Sequence, residues 1–165
     1  MRWRRLLRHL LIDQWSVRRK FPPAAMRAIR DEIAGQEKRH GGELRFAVEA
    51  SLPMALLWRG QDARSRAIDL FSALRIWDTE DNSGVLIYLL LADKRVEIVA
   101  DRGIHGKVGV AAWEAICGEM QRAFAAGRFE QGARFGIAAV SDLIAVHFPA
   151  RAGDRNELPN EPLVL

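Results

Sequence analysis

The chain has 165 residues, 49% hydrophobic and 28% charged, which suits one domain with its own core and is too apolar for a disordered chain. Its single cysteine, Cys117, excludes an internal disulfide and any multi-cysteine metal site. Of the net charge of +4, residues 1–20 carry +6 and the remainder −2, so the body lacks the basic patch of a nucleic-acid-binding domain, and no nucleic-acid partner is expected.

The first 21 residues form the arm. Its opening is positive, as in a signal peptide, but Arg8 and His9 interrupt the apolar part and no small-residue cleavage site follows. At helical period Trp3, Leu6, Leu7, Leu10 and Leu11 share a face, and Arg4, Arg5 and Arg8 lie off it. This is a basic amphipathic helix. It is expected to dock on the body through its leucines, with weak contact to an anionic membrane surface as the alternative. The longest uncharged apolar run, Gly84 to Ala92, is far short of the ~20 residues that span a bilayer. With no signal and no disulfide, the cytoplasm is the expected compartment.

Pro22 and Pro23 open a helix on Met26, Ile29 and Ile33 that Gly41 and Gly42 stop. Leu44 to Val48 reads as a short strand, residues 51–60 as an apolar loop or turn, and Asp62 to Leu74 as a helix with Ala67, Ile68, Phe71 and Leu74 inward. The run GVLIYLLLA from Gly84 reads as a central strand covered on both faces, with Ile87 and Leu89 on one face and Leu86, Tyr88 and Leu90 on the other. Residues 96–100 return as a second strand after a tight turn at Asp93 and Lys94. Two helices follow, one on Trp113, Ile116, Cys117, Met120 and Phe124, the other on Ala133, Ile137, Val140 and Ile144, ended by Pro149. Residues 22–149 are thus the α/β domain and 150–165 an extended tail. A strand–helix–strand crossover is right-handed and parallel, so strands 44–48 and 85–91 should be parallel, with strand 96–100 antiparallel. The expected fold is a three-layer α/β/α sandwich on a small mixed sheet, Rossmann-like in kind.

This topology brings polar residues to one sheet edge. A two-residue turn at Asp93 and Lys94 places Leu86 opposite Asp101, so the loop Trp77-Asp78-Thr79-Glu80-Asp81-Asn82-Ser83-Gly84 meets Asp101 and Arg102, with His40 and Glu43 at the same end. Asp78, Glu80, Asp81, Asn82 and Asp101 are hard oxygen donors of the kind calcium and magnesium take. The loop is not an EF-hand, because Ser83 and Leu89 stand where that motif has glycine and glutamate. The turn-forming character of Asp-Asn-Ser-Gly and a plain Asp101–Arg102 pair are the structural alternatives. Gly103 to Lys107 lacks the first glycine and the hydroxyl of a phosphate-binding loop, and no serine lies in a nucleophile-elbow setting. No organic cofactor is expected.

The stretch Trp77 to Tyr88, followed by Val96 to Ile104, resembles the TPM domain family, which includes thylakoid-lumen proteins linked to photosystem repair and bacterial proteins described as phosphatases. The likeness runs over about residues 22–148, with Phe129 and Gly132 resembling the family's aromatic-then-glycine step. Arg39-His40-x-Gly42-Glu43 and Asn156-Glu157-Leu158-Pro159 look like a soluble bacterial subgroup. Ser83 and Asp101-Arg102-Gly103 depart from the usual Asn or Asp and Gly-aromatic-Gly. The resemblance implies the three-layer sandwich, calcium in the strand-edge loops and acid phosphatase activity. Two functions compete. One is an accessory module that binds an unidentified protein during assembly or repair of a larger complex. The other is a phosphatase in which carboxylates hold a divalent ion, Asp101 and Arg102 are catalytic, and Arg102 binds phosphate oxygens. The absence of a convincing nucleophile favours the module.

Overall fold

Leu44–Glu49 (β1), Val85–Leu90 (β2), Arg95–Ala100 (β3) and Leu163–Val164 (β4) form a four-stranded sheet in the order β3-β2-β1-β4. In the computed structural model, which describes residues 3–153 and 156–165, β1 is parallel to β2 and β4, and β3 is antiparallel to β2. The ends of the arm and tail readings at Met1, Arg2, Asp154 and Arg155 lie outside the described residues. The helices are Trp3–Leu11 (α1), Gln14–Lys20 (α2), Pro23–Gln36 (α3), Met54–Trp58 (α4), Ala63–Ala73 (α5), Arg102–Val108 (α6), Val110–Ala125 (α7) and Phe129–His147 (α8).

All six residues of β1 and of β2 are buried; β2 is an apolar run covered on both sides, whereas β1 also buries Arg45 and Glu49. Leu44, Phe46, Val48, Val85, Ile87, Leu89, Val96 and Ile98 pack against α3, α7 and α8. Ala47, Leu86, Tyr88 and Leu90 pack against Leu6 of α1, Leu57 of α4, and Ala63, Ala67 and Leu70 of α5. The two cores make the three layers. Gly136 lets α7 and α8 approach closely, since a Cβ there would lie 2.3 Å from the Met120 sulfur. The outer edge of β3 is closed by side chains, with Gln121 accepting from the Val96 N–H and Arg64 donating to the Ile98 carbonyl, which blunts edge-to-edge association.

Three expectations for the body change. The hairpin is closed by four residues, Leu91 to Lys94, so Leu86 faces Val99 and Asp101 lies beside Gly84, not Leu86. The N–H groups of Leu91 and Ala92 donate to Glu49 and Ala50, which prolongs the link between β1 and the β2 chain beyond the hairpin ladder, and Lys94 turns the chain at φ 53°. The tail is not loose, for β4 adds to the β1 edge and Leu158, Leu163 and Leu165 cover the second core. On α5 Ala63, Ala67 and Leu70 are buried, and Phe71 and the adjoining Leu74 pack against the same core as expected, but Ile68 is exposed.

The arm is two helices, broken at Asp13, whose carboxylate accepts from the Ser16 N–H and caps α2. Val17 of α2 and the following Phe21 join the first core, whereas α1 is held by charge more than by its leucine stripe. Asp93 in the hairpin receives Arg5 at 2.8 Å, Arg8 at 3.5 Å and His9 at 3.1 Å. The Leu52 N–H donates to His9 Nδ1, so the ring proton sits on Nε2 and is given to Asp93. Burial lowers the His9 pKa despite Asp93, and the ring is neutral. Burial alone would raise the Asp93 pKa, but the bonds from Arg5 and His9 outweigh it and hold the carboxyl below its ordinary value. Only Leu6 of the leucine stripe is buried.

Candidate functional site

β1 and β2 start, and β3 ends, at the same edge. The Val85 N–H donates to the Glu43 carbonyl at 2.8 Å and the Asp101 N–H to the Gly84 carbonyl at 2.9 Å. The preceding loop is drawn tight by bonds from Asn82 N–H to the Thr79 carbonyl and from Ser83 N–H to the Thr79 hydroxyl. Asn82 takes the left-handed conformation, φ 51°, which asparagine tolerates. Gly84 is required by close approach, because a Cβ would lie 2.0 Å from the Ile76 carbonyl oxygen. Gly103 is required in the same way, with the Asn82 and Asp81 carbonyl oxygens 2.5 and 2.8 Å from where its Cβ would be. The sequence reads as turn chemistry what the fold uses as a junction between the loop and α6.

Asp101 is buried and starts α6, with Oδ1 accepting from the Arg102 N–H and Oδ2 left without a partner. Arg102 is exposed. Asp78 is exposed and paired with Arg75 at 2.6 Å, and the same guanidinium lies over the half-exposed Trp77 ring. Asp81 is paired with Arg151 at 3.3 Å, and Glu80 is exposed. A cleft of about 430 Å³ opens between Gly41, Glu80, Asp81, Glu157 and the segment from Arg151 to Gly153. The edge therefore brings Asp81, Asn82 and Asp101 to one junction but turns Asp78 and Trp77 to Arg75. Among the described residues no group of three or more His, Cys, Asp or Glu side chains is gathered to hold a metal ion. Asp101 Oδ2 is the buried oxygen at this junction that no protein group satisfies.

His40 and Glu43 are both buried. His40 Nδ1 lies 3.0 Å from the Gly42 carbonyl and donates to it, leaving Nε2 a buried acceptor without a partner, and burial lowers the ring's pKa. The Glu43 carboxylate accepts the N–H groups of Glu157 and Leu158, and Arg45 donates to the Pro159 carbonyl. These bonds fasten the tail. Sequence reasoning did not single out Glu37 or Arg45, which carry no motif. Glu37 accepts from the Leu44 N–H through Oε1 while its Oε2 is buried without a partner, and burial pushes its pKa up to about 8. Burial raises Glu43 as well.

A pH prediction follows. The folded chain keeps the Glu37 proton that the unfolded chain releases above its ordinary value of 4.5, so stability falls as pH rises from there to about 8. His9 and His40, lowered by burial, act in the opposite sense over the same range, so the Glu37 contribution is read as a difference: in urea melts from about pH 5 to about pH 8 the stability of Glu37→Gln should rise relative to that of the wild type, and the variant should be the more stable protein at the higher pH. An equal slope in the variant would place the titration elsewhere.

Residues 20–143 match the TPM domain. The chain belongs to the TPM domain family. α1 and β4 lie outside the matched residues of this TPM domain. It is similar to the BA42 protein of the psychrophilic bacterium Bizionia argentinensis, whose NMR structure aligns with a TM-score of 0.74 at 32% identity over 86% of this chain and 93% of that one. It shares its fold with the N-terminal domain of a protein from P. gingivalis, at a TM-score of 0.63 and 16% identity over 78% of this chain and 81% of that one. No curated protein matches. No described helix of the TPM domain is long and apolar enough to cross a membrane.

Proposed function

We propose that this TPM domain is a non-catalytic accessory module that binds a partner protein during assembly or repair of a larger complex. One observation carries the reading. The acidic edge is matched to groups of the chain itself, with Asp78 on Arg75, Asp81 on Arg151 and Asp101 on the start of α6. General-base activation of a water calls for a carboxylate within hydrogen-bond reach of that water. Ion pairs and caps instead stiffen the edge as a recognition surface.

The buried, unpartnered Oδ2 of Asp101 favours a second reading, a metal-assisted acid phosphatase acting on phosphate monoesters, with calcium or magnesium held at Asp101. The ion would supply Lewis-acid charge, and Arg102 would bind phosphate oxygens. Hydrolysis of p-nitrophenyl phosphate with calcium or magnesium, across acidic and neutral pH, separates the two. The module predicts the same rate for the wild type, Asp101→Ala and a blank. A metal-dependent rate that falls at least about tenfold in Asp101→Ala overturns the module. Melting temperature under calcium titration adds a binding readout, because an ion held by the native state raises it with concentration. A rise in the wild type that Asp101→Asn abolishes assigns the ion to Asp101 even where no rate is found.

A further inference from the structure

The way α1 is docked leaves its apolar face outward. Arg5, Leu6 and His9 occupy the side toward the body, where Asp93 and the Leu52 N–H hold them. The opposite side presents Trp3, Leu7, Leu10 and Leu11, which are 76%, 50%, 60% and 79% exposed. Four large apolar side chains in nine residues, on a helix pinned by a salt bridge and a neutral histidine, form a fixed patch rather than a scattered surface. Arg4 and Arg8 border it and are exposed. On α2 the exposed Trp15 carries the Arg18 guanidinium over its ring.

We propose that the outward face of α1 seats the protein on an anionic lipid surface. A basic, tryptophan-bearing helix with a high charge and one apolar face lies in the plane of a bilayer interface, leucines among the acyl chains and arginines at the headgroups. Charge selects this occupant. Residues 1–20 carry +6 against −2 on the rest, so an isologous second copy would set two strongly positive arms face to face, whereas anionic headgroups match them. The attachment is peripheral, and it stands whichever reading of the Asp101 edge holds.

The full chain is sedimented with vesicles of phosphatidylcholine alone and with added phosphatidylglycerol. Binding is expected to the mixed vesicles only and to weaken with salt. Leu7→Asp/Leu11→Asp, which leaves the docking side intact, should bind at least about tenfold less with an unchanged melting temperature. If that variant fails to fold, Arg4→Glu and the tryptophan emission of Trp3→Phe decide. Binding should fall in the first, and the blue shift on adding mixed vesicles should shrink in the second. Absence of wild-type binding to the mixed vesicles, or undiminished binding by Leu7→Asp/Leu11→Asp, overturns the proposal. So does a dimer in light scattering that this variant abolishes and mixed vesicles do not compete away.

Discussion

Glu49→Ala is expected to destabilise the protein by about 2–4 kcal/mol, because it leaves the buried Tyr88 hydroxyl and the part-buried Arg66 guanidinium without their acceptor. Glu49 lies on the β1 face that meets α5, and its carboxylate receives Arg66 through two bonds, Nε at 2.9 Å and a terminal nitrogen at 3.0 Å, together with the Tyr88 hydroxyl at 2.7 Å. Tyr88 is fully buried on β2, and burial, reinforced by the Glu49 charge, pushes its phenol far above the ordinary range, so it remains a hydrogen-bond donor. Without the carboxylate, the part-buried guanidinium and the fully buried hydroxyl each lose their partner. Replacing both charges by apolar residues, as in Glu49→Leu/Arg66→Met, should recover the part of the loss that comes from the stranded guanidinium, while the Tyr88 hydroxyl stays without its acceptor. Urea melts of the single and double variants check this. A loss below about 1 kcal/mol in Glu49→Ala would mean that solvent reaches Arg66 and satisfies it.

Leu89→Ala should cost about 2–5 kcal/mol. Leu89 is buried in the interior strand, opposite Val48 on β1 and Val96 on β3, in the core that α7 and α8 close. Truncation removes its transfer energy and leaves a cavity that strands bonded on both sides collapse around only in part. The denaturation midpoint should fall with the slope unchanged. A loss near that of an edge position, below about 1 kcal/mol, would show that the layer yields.

The two variants probe different kinds of legibility. Leu89 is visible in the sequence as part of an apolar run that only a covered strand can use. The partnership of Glu49, Arg66 and Tyr88 is not visible, because it joins three elements and no spacing marks it. The same division runs through the candidate site. That the acidic loop and Asp101 share an edge follows from a parallel crossover and a hairpin, and the structure places them side by side. Which carboxylates converge there does not follow. Asp78 is drawn away by Arg75, three residues before it on a turn whose φ of 55° at Arg75 no periodicity announces. Glu37 takes its character from the strand and tail laid over it after folding.

The order of residues alone dictates the layered α/β/α arrangement, the parallel and antiparallel pairings and the two-sided burial of the central strand, because hydrophobic period and crossover handedness are local or nearly local constraints. It also determined that the arm is an amphipathic helix former. Tertiary structure decided which side of that helix is docked, since periodicity gives two faces but not their destinations. Asp93, 88 residues from Arg5 and carried on the hairpin, attracts the polar side and leaves the leucines outward. It decided the hairpin register as well. The N–H groups of Leu91 and Ala92 bond to the β1 chain and the turn is made by four residues, so a neighbouring strand, not the turn's own composition, set where Asp101 lies.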